Sequence, residues 1–127
     1  MKNFKIGKEI VTILNGSSDV TDALGNKIFP LVAVPNTTFP FMVYRRSYYT
    51  PANNKDYEGE KVGIELVIAT TKYEDGVDIA DKVATAINHA RTTMIDDVII
   101  TNIKEDFIEE TFIQQINLEV TLREEQE

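Results

Sequence analysis

The chain has 127 residues, 43% of them hydrophobic and 27% charged, with no cysteine and a formal net charge of −8 at pH 7. That length fits one domain, taken as residues 1–127, and the apolar fraction is too high for a wholly disordered chain. The lack of cysteine excludes a disulfide framework and thiolate chemistry, and the acidic balance argues against nucleic-acid binding by phosphate neutralisation, so no sequence-specific nucleic-acid reading is expected.

The opening MKNFKIGKEIVTIL carries Lys2, Lys5, Lys8 and Glu9, which interrupt the apolar run of a secretion signal. No stretch reaches the roughly 20 apolar residues of a membrane span, so no membrane partner is expected and the chain should stay soluble where it is made. Ile6, Ile10, Ile13 and Leu14 fall at i, i+4, i+7 and i+8, one apolar stripe on a helix from about Phe4 to Leu14. Asn15-Gly16 ends it, Ser18 or Asp19 caps a very short second helix through Leu24, and Gly25-Asn26 breaks the chain again.

Residues 28–34 are β-branched and aromatic, but Pro30 removes a ladder donor, which leaves either an irregular edge strand or a short strand beginning at Leu31. After a loop from Pro35 to Pro40, Phe41 to Tyr49 reads as a strand and Val62 to Thr71 as the next. They are joined by the polar TPANNKDYEGE, which is long for a hairpin. In the 62–71 strand, Val62, Ile64, Leu66 and Ile68 share an apolar face, and Gly63, Glu65, Val67 and Ala69 share a smaller, more polar one.

EDGVDIADKVATAINHARTTM reads as the clearest helix, with Ile79, Ala80, Val83, Ala84, Ile87, Ala90 and Met94 on one stripe and Asp75 as its N-cap. Val98 to Phe107 and Phe112 to Leu122 follow as strands joined by an acidic turn at residues 108–110. In the last strand Phe112, Ile116, Leu118, Val120 and Leu122 face the core with Gln114 as the exception, and residues from about 123 to 127 fray. The order α, short α, β, β, β, α, β, β predicts an α+β fold: a mainly antiparallel four-stranded sheet, its first strand short, with helices packed on one face.

No pattern for catalysis stands out. His89, the single histidine, lies beside Asn88 without an adjacent nucleophile or a metal-ligand spacing and reads as a structural residue. The acidic pairs Glu74-Asp75, Asp96-Asp97, Glu105-Asp106 and Glu109-Glu110 do not match a calcium loop and read as caps, turns and solvated surface. The glycines are scattered and form no phosphate-binding loop. No enzymatic activity, cofactor, metal or catalytic residue is therefore expected.

The charges are segregated along the chain. Residues 1–50 contain six Lys/Arg and three Asp/Glu, a balance of +3, whereas residues 51–127 contain seven and 18, a balance of −11. If the halves occupy different surfaces, the basic patch of one copy attracts the acidic patch of another, the head-to-tail contact that closes rings. In FPFMVYRRSYYTP, strand alternation sends Phe41, Val43 and Arg45 one way and Met42, Tyr44, Arg46 and Tyr48 the other, so the arginines do not form one patch. Arg and Tyr are enriched at protein interfaces. Two readings of this strand stand together, a contact surface and a set of aromatic stems covering the sheet's second face.

IVTILNGSSDVTDALGNKIFPLVAVPNTTFPFMVYRR and GIELVIATTKYEDGVDIADKVATAI resemble the tail-completion proteins of long-tailed bacteriophages and prophages, relatives of tail terminators and head–tail joining proteins. The shared features are the two opening helices, Ile28-Phe29-Pro30, Val34-Pro35, Phe39-Pro40-Phe41, Tyr44 and the Ile-Ala-x-x-Val helix. The resemblance runs from about Ile10 to Leu122. It implies a non-enzymatic virion protein at the head-proximal end of the tail, assembled in the bacterial cytoplasm as a ring, commonly a hexamer, that completes the tail tube and meets the tail-tube and head-connector proteins. On that reading the contact residues are Arg45, Arg46, Tyr48, Tyr49, Asn53, Asn54, Lys55 and Tyr57. The alternative from another class is a small ligand- or peptide-binding α+β module with the 50–61 loop as its lid.

Overall fold

The computed structural model describes residues 2–52 and 59–123. A 3-10 turn at Lys2–Lys5 leads into α1 (Ile6–Asn15) and α2 (Ser18–Leu24), followed by β1 (Ile28–Pro30), β2 (Phe41–Thr50), β3 (Lys61–Thr70), α3 (Tyr73–Ile87), β4 (Ile95–Ile108) and β5 (Thr111–Leu122). The fold is α+β as expected, but the sheet differs. It has five strands in the order β1-β2-β3-β5-β4, and it is mixed, because β1 runs parallel to β2 with Ile28 opposite Met42 and Pro30 opposite Tyr44. Pro30 has no N–H with which to prolong the ladder, so β1 stops there. Leu31 then turns the chain at φ 65°, its own N–H held by the Tyr44 carbonyl at 2.9 Å.

The helices cover one face of the sheet. Ile6, Ile10 and Leu14 of α1, Val20 and Leu24 of α2, and Ile79, Val83 and Ile87 of α3 pack on Val62, Ile64, Leu66 and Ile68 of β3 and on Ile116, Leu118 and Val120 of β5, all of them buried. Burial of each such side chain is worth about 1.5–3 kcal/mol, so the stripes read from the sequence are the main source of stability.

The third helix corrects the expectation at both ends. It begins at Tyr73 with Lys72 at the N-cap, which makes no side-chain cap bond, and Asp75 sits inside the first turn, where its carboxylate still favours the positive end of the helix dipole. It ends at Ile87 instead of continuing to Met94, because Asn88 is extended and His89 takes φ 61°. That turn aims the His89 N–H at the Val98 carbonyl, 2.8 Å away. Thr92 Oγ1 accepts the N–H groups of Met94 and Ile95, each at 3.1 Å, so β4 starts at Ile95, three residues before the expected Val98. Arg123 closes this corner: its Nε donates to the Thr92 carbonyl at 2.7 Å.

β4 and β5 meet at a two-residue turn, Glu109-Glu110, with Ile108 opposite Thr111 and both glutamates at positive φ, 48° and 61°. Such a turn matches the twist of the strands but favours Asn-Gly over residues with long side chains. Replacing Glu109→Asn together with Glu110→Gly is expected to stabilise the protein by about 1–2 kcal/mol by relieving the left-handed strain, read as a higher urea midpoint with an unchanged m-value.

Candidate interaction surface

The paired arginines occupy opposite faces of the sheet. Arg45 stands opposite Glu65 on the open face and forms an ion pair with it through Nε, whereas Arg46 stands opposite Ile64 on the helix side. Tyr48 is not with Arg46, contrary to simple alternation. A bulge at Ser47 places Tyr48 opposite Gly63, and one inserted residue is enough to move every later side chain to the other face. The Tyr48 ring lies over Gly63, where an added Cβ would come within 2.1 Å of Cε1. Its hydroxyl donates to Glu119 Oε2 at 2.6 Å, and Lys61 Nζ lies 3.7 Å from the other oxygen of that carboxylate. Burial first, then the bond to the Glu119 carboxylate and its charge, push the Tyr48 phenol from the ordinary 10.0 up to about 12.

Tyr49 donates to Glu60 Oε2 at 2.7 Å, a bond that raises its own pKa. Asn53, Asn54, Lys55 and Tyr57 lie outside the described residues, as does the middle half of the 50–61 loop expected to act as a lid.

Arg46 has a role that its position in the sequence does not announce. Its NH1 donates to the Asn3 carbonyl at 3.2 Å and to Asn3 Oδ1 at 3.3 Å, and its guanidinium stacks 4.7 Å from the centre of the Phe4 ring. It thereby ties the N-terminal turn to β2. Tyr44 lies against Gly7, where a Cβ would meet the ring at 2.8 Å. Phe4, Gly7, Pro30, Leu31, Tyr44 and Arg46 together wall a hollow of about 280 Å³ at the β1–β2 side of the molecule.

A second hollow, of about 320 Å³, lies on the open face. Leu31, Val43, Val67, Ile108 and Ile113 form its apolar part, with Arg45, Lys104, Asp106 and Gln115 among its polar walls. Among the described residues no group of three or more His, Asp or Glu gathers to hold a metal ion, and no helix is long and apolar enough to cross a membrane.

At the opposite side of the sheet, the β4–β5 hairpin outruns the helices. The 14 residues of β4 extend roughly 46 Å at the usual strand rise, whereas the 15 residues of α3 extend about 22 Å. Residues 101–110 are consequently exposed throughout. Phe107 packs on Phe112 at 4.7 Å between ring centres, and Phe112 meets Tyr73 edge-on at 6.0 Å. Tyr73 donates to Glu105 Oε2 at 2.5 Å and Gln114 Nε2 donates to the same oxygen at 2.6 Å, which explains the polar break in the β5 alternation. These two bonds, Tyr73 first, hold the Glu105 carboxyl below its usual range. Ile103, Phe107, Tyr73 and Val77 remain exposed around this cluster.

A family model described as "Tail completion protein gp17" matches residues 8–118. Two solved structures share the fold. A chain of "Virion of native gene transfer agent (GTA) particle" has a TM-score of 0.67 at 10% identity, covering 89% of this chain and 90% of that one. "Structure of bacteriophage SPP1 gp17 protein" has a TM-score of 0.57 at 15% identity, covering 98% and 94%. No curated sequence matches the chain.

Two outcomes follow from the Tyr48–Gly63 contact. Gly63→Ala is expected to cost about 1–3 kcal/mol through overpacking, and most of that loss should vanish in a Tyr48→Ala background, as measured by a double-mutant cycle in urea. Because folding favours the neutral phenol, the linked stability is fully present below pH 10 and is lost as pH rises through about 12. An ultraviolet titration should show a last ionisation step near pH 12 that disappears in Tyr48→Phe.

Proposed function

The chain belongs to the tail completion protein family, and from that premise we propose that it closes the head-proximal end of a phage tail tube as a ring of identical copies and joins it to the head connector. It is a structural protein of the phage virion, and its work on this reading is done by fitted surfaces, without covalent chemistry.

The observation that carries the ring is where the sheet order puts the two charged halves. A ring needs two unlike, complementary patches on each copy. β1 and β2 come from the basic first 50 residues and lie at one edge, while β4, from the acidic remainder, is the opposite edge strand. On the edge strands themselves, β2 carries Arg45 and Arg46 and no carboxylate, whereas β4 carries Asp96, Asp97, Glu105 and Asp106 against a single Lys104. A two-fold pairing would set like charge against like, whereas a head-to-tail contact sets basic against acidic. The net charge of −8 also suits a passage that DNA must traverse without adhering.

The open-face hollow of about 320 Å³ is the feature that favours a ligand- or peptide-binding module instead, and its sign would be a ligand-dependent rise in Tm. For the ring, purified protein at increasing concentration should yield closed annular species by native mass spectrometry and negative-stain microscopy, and lysates lacking the protein should contain heads and tails that fail to join until it is added. A strict monomer at millimolar concentration that leaves head–tail joining unaffected would overturn the reading.

A further inference from the structure

Two exposed apolar patches lie on opposite sides of the helix-covered face, with rims of opposite charge. The first comprises Tyr73 and Val77 of α3 with Ile103 and Phe107 of β4. They are contiguous: Tyr73 and Val77 are one helical turn apart, Ile103 and Phe107 flank Glu105 on one face of β4, and the Tyr73 hydroxyl bonds that glutamate. Ile103 and Phe107 are each 56% exposed. Around them stand the exposed carboxylates Glu74, Asp75, Asp78 and Asp81 on α3 and Glu109 and Glu110 at the hairpin end, which outnumber the neighbouring Lys72 and Lys104.

The second patch is the hollow beside the N-terminal turn, where Phe4 is 67% and Leu31 71% exposed. Arg46 lines it, Lys5 and Lys8 directly follow its lining residues Phe4 and Gly7 in the chain, and all three are exposed. Arg46 spends one nitrogen on Asn3, so its remaining donors are open to a carboxylate.

We propose that these two patches are the two halves of one contact between copies of this chain: the acidic-rimmed patch of one copy seats on the basic-rimmed hollow of the next. The proposal rests on the ring reading above and specifies where neighbouring subunits touch. Opposed charge selects the occupant, since either patch placed on its own counterpart would oppose like charges. A continuous sheet between copies is a poor alternative. The β1 edge offers three residues and ends in Pro30, too little backbone to extend a 14-residue β4. Side-chain docking is left as the mode, with Ile103 and Phe107 as apolar anchors and the carboxylates as the rim.

Charge swapping tests the pairing. Lys5→Glu with Lys8→Glu makes both patches acidic; Asp81→Lys with Glu109→Lys and Glu110→Lys makes both basic. Each variant alone should lose assembly at least tenfold in sedimentation velocity while keeping the parent's circular dichroism and Tm, and an equimolar mixture should restore assembly by alternating the two. If the parent assembles and both variants assemble equally well, or if both fail and the mixture stays dissociated, this contact is wrong while the ring stands. A parent that stays monomeric sinks the ring reading and this contact with it. A second measurement does not depend on charge. The chain has no cysteine of its own, so Phe4→Cys with Ile103→Cys should give a ladder of oxidised multimers from the assembled protein, whereas each single variant gives none beyond dimer. A folded, assembled double variant without a ladder overturns the contact.

Discussion

β3 and β5 pair without a break from Lys61 opposite Thr121 to Thr70 opposite Phe112, and the helices seal one face of that ladder. The helical layer is far shorter than the longest strands, so it fixes which parts of the sheet become interior and which are left as surface. Val98 and Ile95 of β4 are buried, while Ile103 and Phe107, on the same face of the same strand, are exposed. Residue chemistry alone does not separate them; the reach of α3 does. The exposed apolar surface of this protein follows from the geometry of its core.

The strand order then gives that surface its polarity. Had β4 followed β1 in space, the basic and acidic halves of the chain would neutralise each other within one molecule. The order β1-β2-β3-β5-β4 keeps the arginines of β2 and the carboxylates of β4 apart, with β3 and β5 between them. Local pairs trim the contrast without removing it: Arg45 is taken up by Glu65, and Arg91 lies 3.3 Å from Asp96. Exposed pairs of this kind contribute little to stability. Among the described residues the other charges around each patch form no ion pair, so they are available to orient a partner.

Much of this was legible in the sequence where the signal is periodic and local. The stripes of α1 and α3, the alternation of β3 and β5, and the anomaly of Gln114 all reappear in the structure, because burying an apolar face leaves a period of 3.6 or 2 in any sequence. The tail-completion resemblance was carried by apolar and proline positions, and the family is the one the chain belongs to. What local pattern does not encode is pairing. A three-residue β1 pairs in parallel with β2, and the Leu31 and Met42 N–H bonds to the Tyr44 and Lys27 carbonyls extend that pairing at its two ends. The bulge at Ser47 has no compositional mark, yet it decides the face of Tyr48 and makes Gly63 the residue that its ring can cover. The end of α3 at Ile87 depends on His89 adopting a left-handed turn to reach Val98. Arg46 and Phe4 are far apart in sequence, and only the fold puts them in contact.

An exposed strand edge bearing Ile103, Phe107 and Ile108 is the kind of surface that aggregates. Here the residues between and beyond these positions, Lys104, Glu105, Asp106, Glu109 and Glu110, are charged, and bulges at Asp96 and Thr101 interrupt the regular edge. A net charge of −8 adds repulsion between like surfaces approaching at random. In the proposed contact, the same carboxylates that keep two hairpins apart face a basic-rimmed hollow, so protection and recognition would come from one set of residues. Screening divides the labour further. Ionic attraction between exposed charges fades beyond about 10 Å at 0.1 M salt, so charge governs approach and orientation, and the apolar surface, which salt does not weaken, holds the contact once formed.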